Sequence, residues 1–183
     1  MELKDAMEKR RAQRALALVD IDDGTVRELT KAASIAPSCF NNQPWRFVLV
    51  REREQLERLK ATLTKGNAWA QRASMMIAVH SEPSLDCDAQ GSKYYLFDTG
   101  MAVAFLLLRA TDLGLLAHPI SGFDHAQAKA VLGIPEVNEL FALIIVGKHT
   151  DDWSMLKDWQ LEREKERPER LPLEKIASME RFS

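Results

Sequence analysis

The chain has 183 residues, 46% hydrophobic and 28% charged. That is enough apolar content for one domain with a real core, and too much for a disordered chain. Lys+Arg 25 against Asp+Glu 27 leave a net charge of -2, so there is no general positive excess to release counterions from a nucleic acid. Two cysteines, Cys39 and Cys87, and four scattered histidines exclude a disulfide framework and a four-thiolate metal site.

The first 16 residues are charged throughout and lack the apolar run of a signal peptide. Residues 3–18 read as a helical arm. Asp22-Asp23-Gly24-Thr25 supply a turn and a helix cap, and Val26, Leu29 and Ala33 recur at helical spacing. They predict an amphipathic helix over 25–35, ended by Pro37. Residues 47–50 are short, apolar and β-rich, a buried strand. Leu56, Leu59 and Leu63 mark a surface helix, and residues 75–79 form a second buried strand.

Residues 94–113 are apolar almost all round, so they predict a central helix buried on most faces, with Gly114 as its C-cap. Residues 125–132 form a short helix stopped by Gly133-Ile134-Pro135, and 140–146 a third buried strand. From Asp151 onward the composition turns strongly charged, with Trp153 and Trp159. A helix over 154–166 has only a thin stripe of Met155, Trp159 and Glu162, so it must lie on its own core or on a partner chain. The longest apolar stretch, between Asp98 and Arg109, is about ten residues where a bilayer span needs ~20. These patterns predict an α+β fold, one sheet packed between helices, in a soluble, reduced, cytoplasmic protein.

Three segments carry chemistry. Ala36-Pro37-Ser38-Cys39-Phe40-Asn41-Asn42-Gln43-Pro44-Trp45-Arg46-Phe47 joins a helix to a strand. Its side-chain amides each offer a donor and an acceptor, which suits a neutral, heteroatom-rich ring. The same residues also make a well-capped loop. In Arg10-Arg11-Ala12-Gln13-Arg14 a helix would put Arg10 and Arg14 on one face. Guanidinium groups grip phosphate in bidentate fashion, and a solvated charged arm is the competing reading. In His118-Pro119-Ile120-Ser121-Gly122-Phe123-Asp124, Gly and Pro force a backbone whose N–H groups are free for a ligand, unless this is an ordinary loop.

Taken in order, these segments resemble the FMN-dependent nitroreductase family. The start RRAQR is followed by APSxxNxQPWxF over 36–47 with every fixed position present, then Asn67 and Trp69. The series continues with Asp98-Thr99-Gly100-Met101-Ala102, Leu113-Gly114-Leu115, Pro119-Ile120-Ser121-Gly122-Phe123, Leu132-Gly133-Ile134-Pro135, and a late Arg170 before Pro172-Leu173-Glu174. The resemblance runs from about residue 8 to residue 178. APSxxNxQPW is the specific element; the others gain weight from their order.

The resemblance implies a nitroreductase-like fold with a central mixed β-sheet, in an intertwined homodimer with two FMN sites at the interface. It implies one domain over 1–183, with 151–183 as a C-terminal arm reaching the partner subunit. NAD(P)H is the implied electron donor, with a nitroaromatic, quinone or similar acceptor in a ping-pong cycle. The flavin carries the chemistry, so no protein residue is catalytic. The implied FMN contacts are Arg10, Arg11, Arg14 and Arg170 on the phosphate and the pyrimidine side, and Asn67 on the ring's polar edge. Pro119, Ile120, Ser121 and Gly122 form the loop whose backbone N–H meets flavin N5. Pro37, Ser38, Cys39 and Asn41 reach the flavin from the opposite subunit. Ala12 departs from the family's usual Ser, which removes a phosphate contact. A dehalogenase or dehydrogenase of the same fold, or a flavin-binding protein without turnover, are the alternatives.

Overall fold

Two strands of unbroken apolar sequence organise the chain. In the computed structural model, which describes residues 1–88 and 90–182, the strands are β1 (Leu16–Ala17), β2 (Arg46–Val50), β3 (Met75–Ser81), β4 (Leu116–Ile120) and β5 (Glu139–His149). They form a five-stranded sheet in which β2, β3 and β5 are neighbours, β4 pairs with β5 over 143–147, and β1 pairs with β5 at Lys148 and His149. Every pairing is antiparallel, so within one chain the sheet is not mixed as expected.

The helices are α1 (Leu3–Lys9), α2 (Asp23–Ser34), α3 (Arg53–Lys60), α4 (Tyr94–Asp112), α5 (His125–Leu132) and α6 (Asp158–Lys165). Alternation along β3 and β5 explains the layering. Met76, Ala78, Leu143 and Ile145 face one core with Leu56, Leu59, Trp69 and Ala128. Met75, Ile77, Val79, Ile144 and Val146 face the other with Leu29, Ala33, Ala102, Leu106 and Ala110. A sheet covered by helices on both faces needs no polar side, hence its continuous apolar runs.

Local signals set the ends of several elements. Asp22 Oδ1 accepts from Thr25 N at 2.6 Å and caps α2. Gly133, with φ +66°, ends α5 in the left-handed region.

Four elements differ from expectation. The N-terminal helix stops at Lys9, and the chain runs extended into β1, held by contacts from α6 described below. β4 falls where a loop was expected, because Pro119 argues against a strand. As an edge strand paired only with β5, β4 tolerates a residue lacking an N–H. The C-terminal helix is shorter, and it rests on polar rather than apolar residues: Gln160 and Glu164 are its buried positions. α4 is not covered on most faces, since Leu96, Phe97 and Phe105 are 36%, 59% and 38% exposed. Among the described residues, no helix is long and apolar enough to cross a membrane.

Candidate functional site

Six guanidinium groups converge on one small cavity. Arg10, Arg11, Arg14, Arg163, Arg167 and Arg170 line a space of about 190 Å³ with Ala12 and Pro168. Arg10 and Arg14 reach it from extended backbone rather than from one helical face. The segment is pinned by Glu164 of α6, whose two carboxylate oxygens accept from Arg14 N at 2.8 Å and Ala15 N at 3.1 Å. Gln160 fixes α6 in turn, donating to Gly66 O at 3.0 Å.

Two of the six are committed to structure. Arg11 donates to the carbonyls of Arg163 and Glu164 at 3.1 and 3.0 Å, so its expected phosphate role is shared with capping the end of α6. Arg167 donates to Glu8 O and Arg10 O. Arg10 and Arg170 make no side-chain hydrogen bond or ion pair among the described residues. Burial, and then the charges of Arg167 and Arg170, push the Arg10 pKa down. An anion seated among these groups would relieve that repulsion. Arg163 and Arg167 were not singled out from the sequence. Their 163/167 spacing on a charged helix is the signal that could have found them.

Arg14 links this cavity to the next group. Its guanidinium carbon lies 6.0 Å from the Trp69 ring centroid and 5.4 Å from that of Trp159. Trp69 Nε1 donates to Asn67 Oδ1 at 3.3 Å, and Asn67 Nδ2 donates to Gly122 O at 2.9 Å. Thr64 N and Oγ1 also donate to Gly122 O. Ser121 O accepts from Phe123 N at 3.1 Å and lies 3.3 Å from His125 Nε2. In a trans peptide the N–H points opposite its carbonyl, so the Gly122 N–H is turned away from these partners. Neither Ser121 N nor Gly122 N donates a hydrogen bond among the described residues. Pro119 and Ile120 belong to β4, which anchors the loop; Ile120 is buried, while Ser121 is exposed. A Cβ at Gly122 would lie 2.5 Å from Asn67 Nδ2, which is why only glycine fits there.

The third group stands apart in hydrogen bonding. Ser38 Oγ accepts from Gln43 N at 3.0 Å, and Asn41 O accepts from Gln43 Nε2 at 3.0 Å. Cys39 N donates to Asp98 Oδ2 at 2.7 Å, and Asp98 is fully buried. Pro37 and Asn41 are exposed, and Ser38 and Cys39 half-buried. Cys39 is not a free thiol: it is disulfide-bonded to Cys87, against the expectation of a reduced chain. No hydrogen bond among the described residues joins this loop to the arginine cavity or to Gly122.

His118 sits under the site. Its ring lies 4.9 Å from Trp69, and Nδ1 pairs with Gln13 O at 2.8 Å. Burial, only partly opposed by the Gln13 carbonyl, lowers its pKa to about 4, and Arg14 and Arg10 act in the same direction. A folded-state value below the unfolded one of about 6.5 means the unfolded chain binds the extra proton. This contribution to stability is therefore complete above pH 6.5 and is lost as pH falls toward 4. Urea midpoints measured from pH 4 to pH 7 should rise with pH, and the rise should shrink in His118→Gln. An equal rise in the variant would assign the effect elsewhere.

Comparison with known proteins gives consistent matches. A model of the nitroreductase family matches residues 7–68 and 60–148. A protein of Archaeoglobus fulgidus, provisionally named NADH dehydrogenase/NAD(P)H nitroreductase, is 30% identical over 174 residues, covering 91% of this chain and 94% of the relative. An NADH dehydrogenase of Thermus thermophilus is 25% identical over 178 residues, 80% of this chain and 86% of that one. Among solved structures, an oxidoreductase containing FMN is 31% identical, with a TM-score of 0.86 over 97% of this chain and 91% of its own. A nitroreductase family protein from Clostridium novyi is 26% identical, with a TM-score of 0.76 over 86% and 89%.

Proposed function

This chain belongs to the nitroreductase family, and from that premise we propose that it is an FMN-dependent oxidoreductase. In this reading it takes electrons from NAD(P)H and delivers them to a nitroaromatic, quinone or similar acceptor, in alternating half-reactions at one site. The observation that carries the reading is the arginine cavity, whose free Arg10 and Arg170 match a phosphate near two negative charges in charge and donor geometry. The fit extends along the protein surface. From the cavity, Arg14, Trp69, Asn67 and Gly122 form an unbroken series of contacts ending at unpaired backbone N–H groups. FMN, when bound, supplies the hydride-accepting ring.

The residues divide the remaining work. Arg10 and Arg170 hold the phosphate, with Arg163 beside them; Ala12 contributes no hydroxyl. Arg14, braced by two indole rings, sets a fixed positive charge where the reduced ring carries negative charge, at no reorganisation cost during the reaction. Asn67 and Thr64 anchor the loop through the Gly122 carbonyl, and the Ser121 carbonyl, turned to Phe123 N, leaves the Gly122 N–H to face the ligand. Gly122→Ala would displace Asn67 and should weaken FMN binding about tenfold, equivalent to one lost hydrogen bond. Fluorescence titration checks this, and unchanged affinity would remove the loop from the site.

Pro37, Ser38, Cys39 and Asn41 reach the flavin from a second copy of the chain. Two apolar surfaces support that homodimer: the open face of α4 and the tail beyond α6. In the tail Leu171, Leu173, Ile176, Met179 and Phe182 are all more than 60% exposed. Residues 151–183 then act as the arm that embraces the partner. The donor, NAD(P)H, fits a cytoplasmic location.

The experiment is direct. Purified protein should be dimeric and yellow, release FMN on denaturation, and oxidise NADH or NADPH with menadione or nitrofurazone. Bound FMN without turnover on any acceptor would leave a binding protein. A colourless monomer indifferent to added FMN would end the reading.

A further inference from the structure

Cys39 and Cys87 join two segments 48 residues apart, with Cα atoms 6.2 Å from each other. One segment is the loop after α2; the other precedes α4. Both cysteines are half-buried rather than sealed in the core.

The loop is held in a costly shape. Phe40, Asn41 and Gln43 have φ of +47°, +59° and +50°, a region that non-glycine residues adopt only when their surroundings enforce it. Phe40 is 90% exposed, so its side chain supplies no packing to enforce anything. Apart from the disulfide, the loop is tied to the rest of the protein by the Cys39 N–H on Asp98, by Asn42 Nδ2, 3.4 Å from Asp86 Oδ1, by Ser81 Oγ donating to Pro44 O at 2.7 Å, and by buried Ala36 and Trp45 at its ends. Asp98 Oδ1 is buried without a hydrogen-bond partner, as is Oδ2 of Asp86. The cross-link is the covalent constraint on the stretch with positive φ.

We propose that Cys39–Cys87 is a thiol-exchange site whose redox state sets the shape of the loop carrying Pro37, Ser38 and Asn41, with a dithiol as its reductant. A thiolate of the dithiol attacks one Sγ and forms a mixed disulfide, and the other Sγ leaves with the bonding electrons and takes a proton. The second thiol of the reagent then attacks its own sulfur in the mixed disulfide. This closes a cyclic disulfide and releases the second cysteine as a thiol. Two electrons and two protons pass from reagent to protein, and an oxidised dithiol reverses the exchange. A carboxylate oxygen of Asp86 lies within 4.8 Å of both sulfurs. Disulfides of cytoplasmic proteins are most often transient or redox-sensing, in keeping with this role.

The consequence for FMN rests on the functional reading above, which alone brings this loop to the flavin of a second copy. The full-length protein is equilibrated in reduced and oxidised dithiothreitol at graded ratios, quenched with iodoacetamide and weighed. Cysteines should be alkylated in pairs under native conditions. Amide exchange of peptides spanning 36–47 should quicken about tenfold or more on reduction, with β5 unchanged. Cys87→Ser should show the fast exchange in either buffer, and reduced wild-type protein gives the same comparison if that variant folds poorly. No alkylation short of denaturation, or paired alkylation with unchanged exchange, overturns the proposal. FMN affinity on the same samples should fall on reduction, and equal affinity in both states overturns the link to the cofactor. Absence of FMN binding in every sample counts against the functional reading, while alkylation and exchange still decide the thiol site.

Discussion

Replacing Arg10 and Arg170 together by Ala should weaken FMN binding at least about a hundredfold. Hydrogen bonds to charged groups contribute about 1.5–3 kcal/mol each, and about 1.4 kcal/mol is tenfold in affinity. These two are the right pair because neither has another side-chain partner among the described residues. Arg11 and Arg167 are different: each already donates to backbone carbonyls, so their removal would mix lost binding with lost structure. The test uses two ligands. The variant should lose FMN but bind riboflavin, which lacks the phosphate, as the wild type does. In the wild type, FMN affinity should fall with added salt, and that dependence should flatten in the variant as phosphate contacts are removed. FMN affinity that survives both substitutions would show that the cavity is not the phosphate site.

Much of this site was legible because its chemistry is local in sequence. RRAQR, the 36–47 segment and the 118–124 segment each announce themselves by unusual composition, and their order carries the family resemblance. Strands with both faces buried are also easy to read, as β3 and β5 show. Other features depended on contacts that no window of sequence contains. The extended path of residues 10–15 is set by Glu164, about 150 positions away, which overrides the helical preference of a charged, Ala-containing stretch. β4 was hidden by Pro119, whose missing N–H matters only if a second neighbour exists. Arg163 and Arg167 lie in a strongly charged stretch where no one arginine stands out; only the docking of α6 brings them to Arg10. The Cys39–Cys87 bond was invisible because two cysteines allow one pairing but no window of sequence says that they meet. Spatial proximity is the whole of that signal.

The same long-range contact leads to the second large expected effect. Glu164→Ala should destabilise the protein by about 3 kcal/mol, because it leaves the N–H groups of Arg14 and Ala15 unsatisfied at a buried position, at about 1–3 kcal/mol each. The Glu164 side chain is 1% exposed, and His149 Nε2 approaches it at 3.3 Å, so water has little room to replace it. In a domain of this size a loss of that magnitude lowers the thermal midpoint by roughly 6–12 °C. Glu164→Gln keeps one acceptor and should fall between. The variant should also bind FMN more weakly, although Glu164 does not line the arginine cavity. Without it, residues 10–15 and α6 lose their common anchor, and the two halves of the phosphate site no longer share a frame. Excess FMN should recover part of the lost midpoint, since a ligand that binds only the folded state stabilises it by mass action. Wild-type stability in Glu164→Ala would mean that the extended segment is held by something else. Lost stability with full FMN affinity would mean that the cavity does not depend on how α6 is seated.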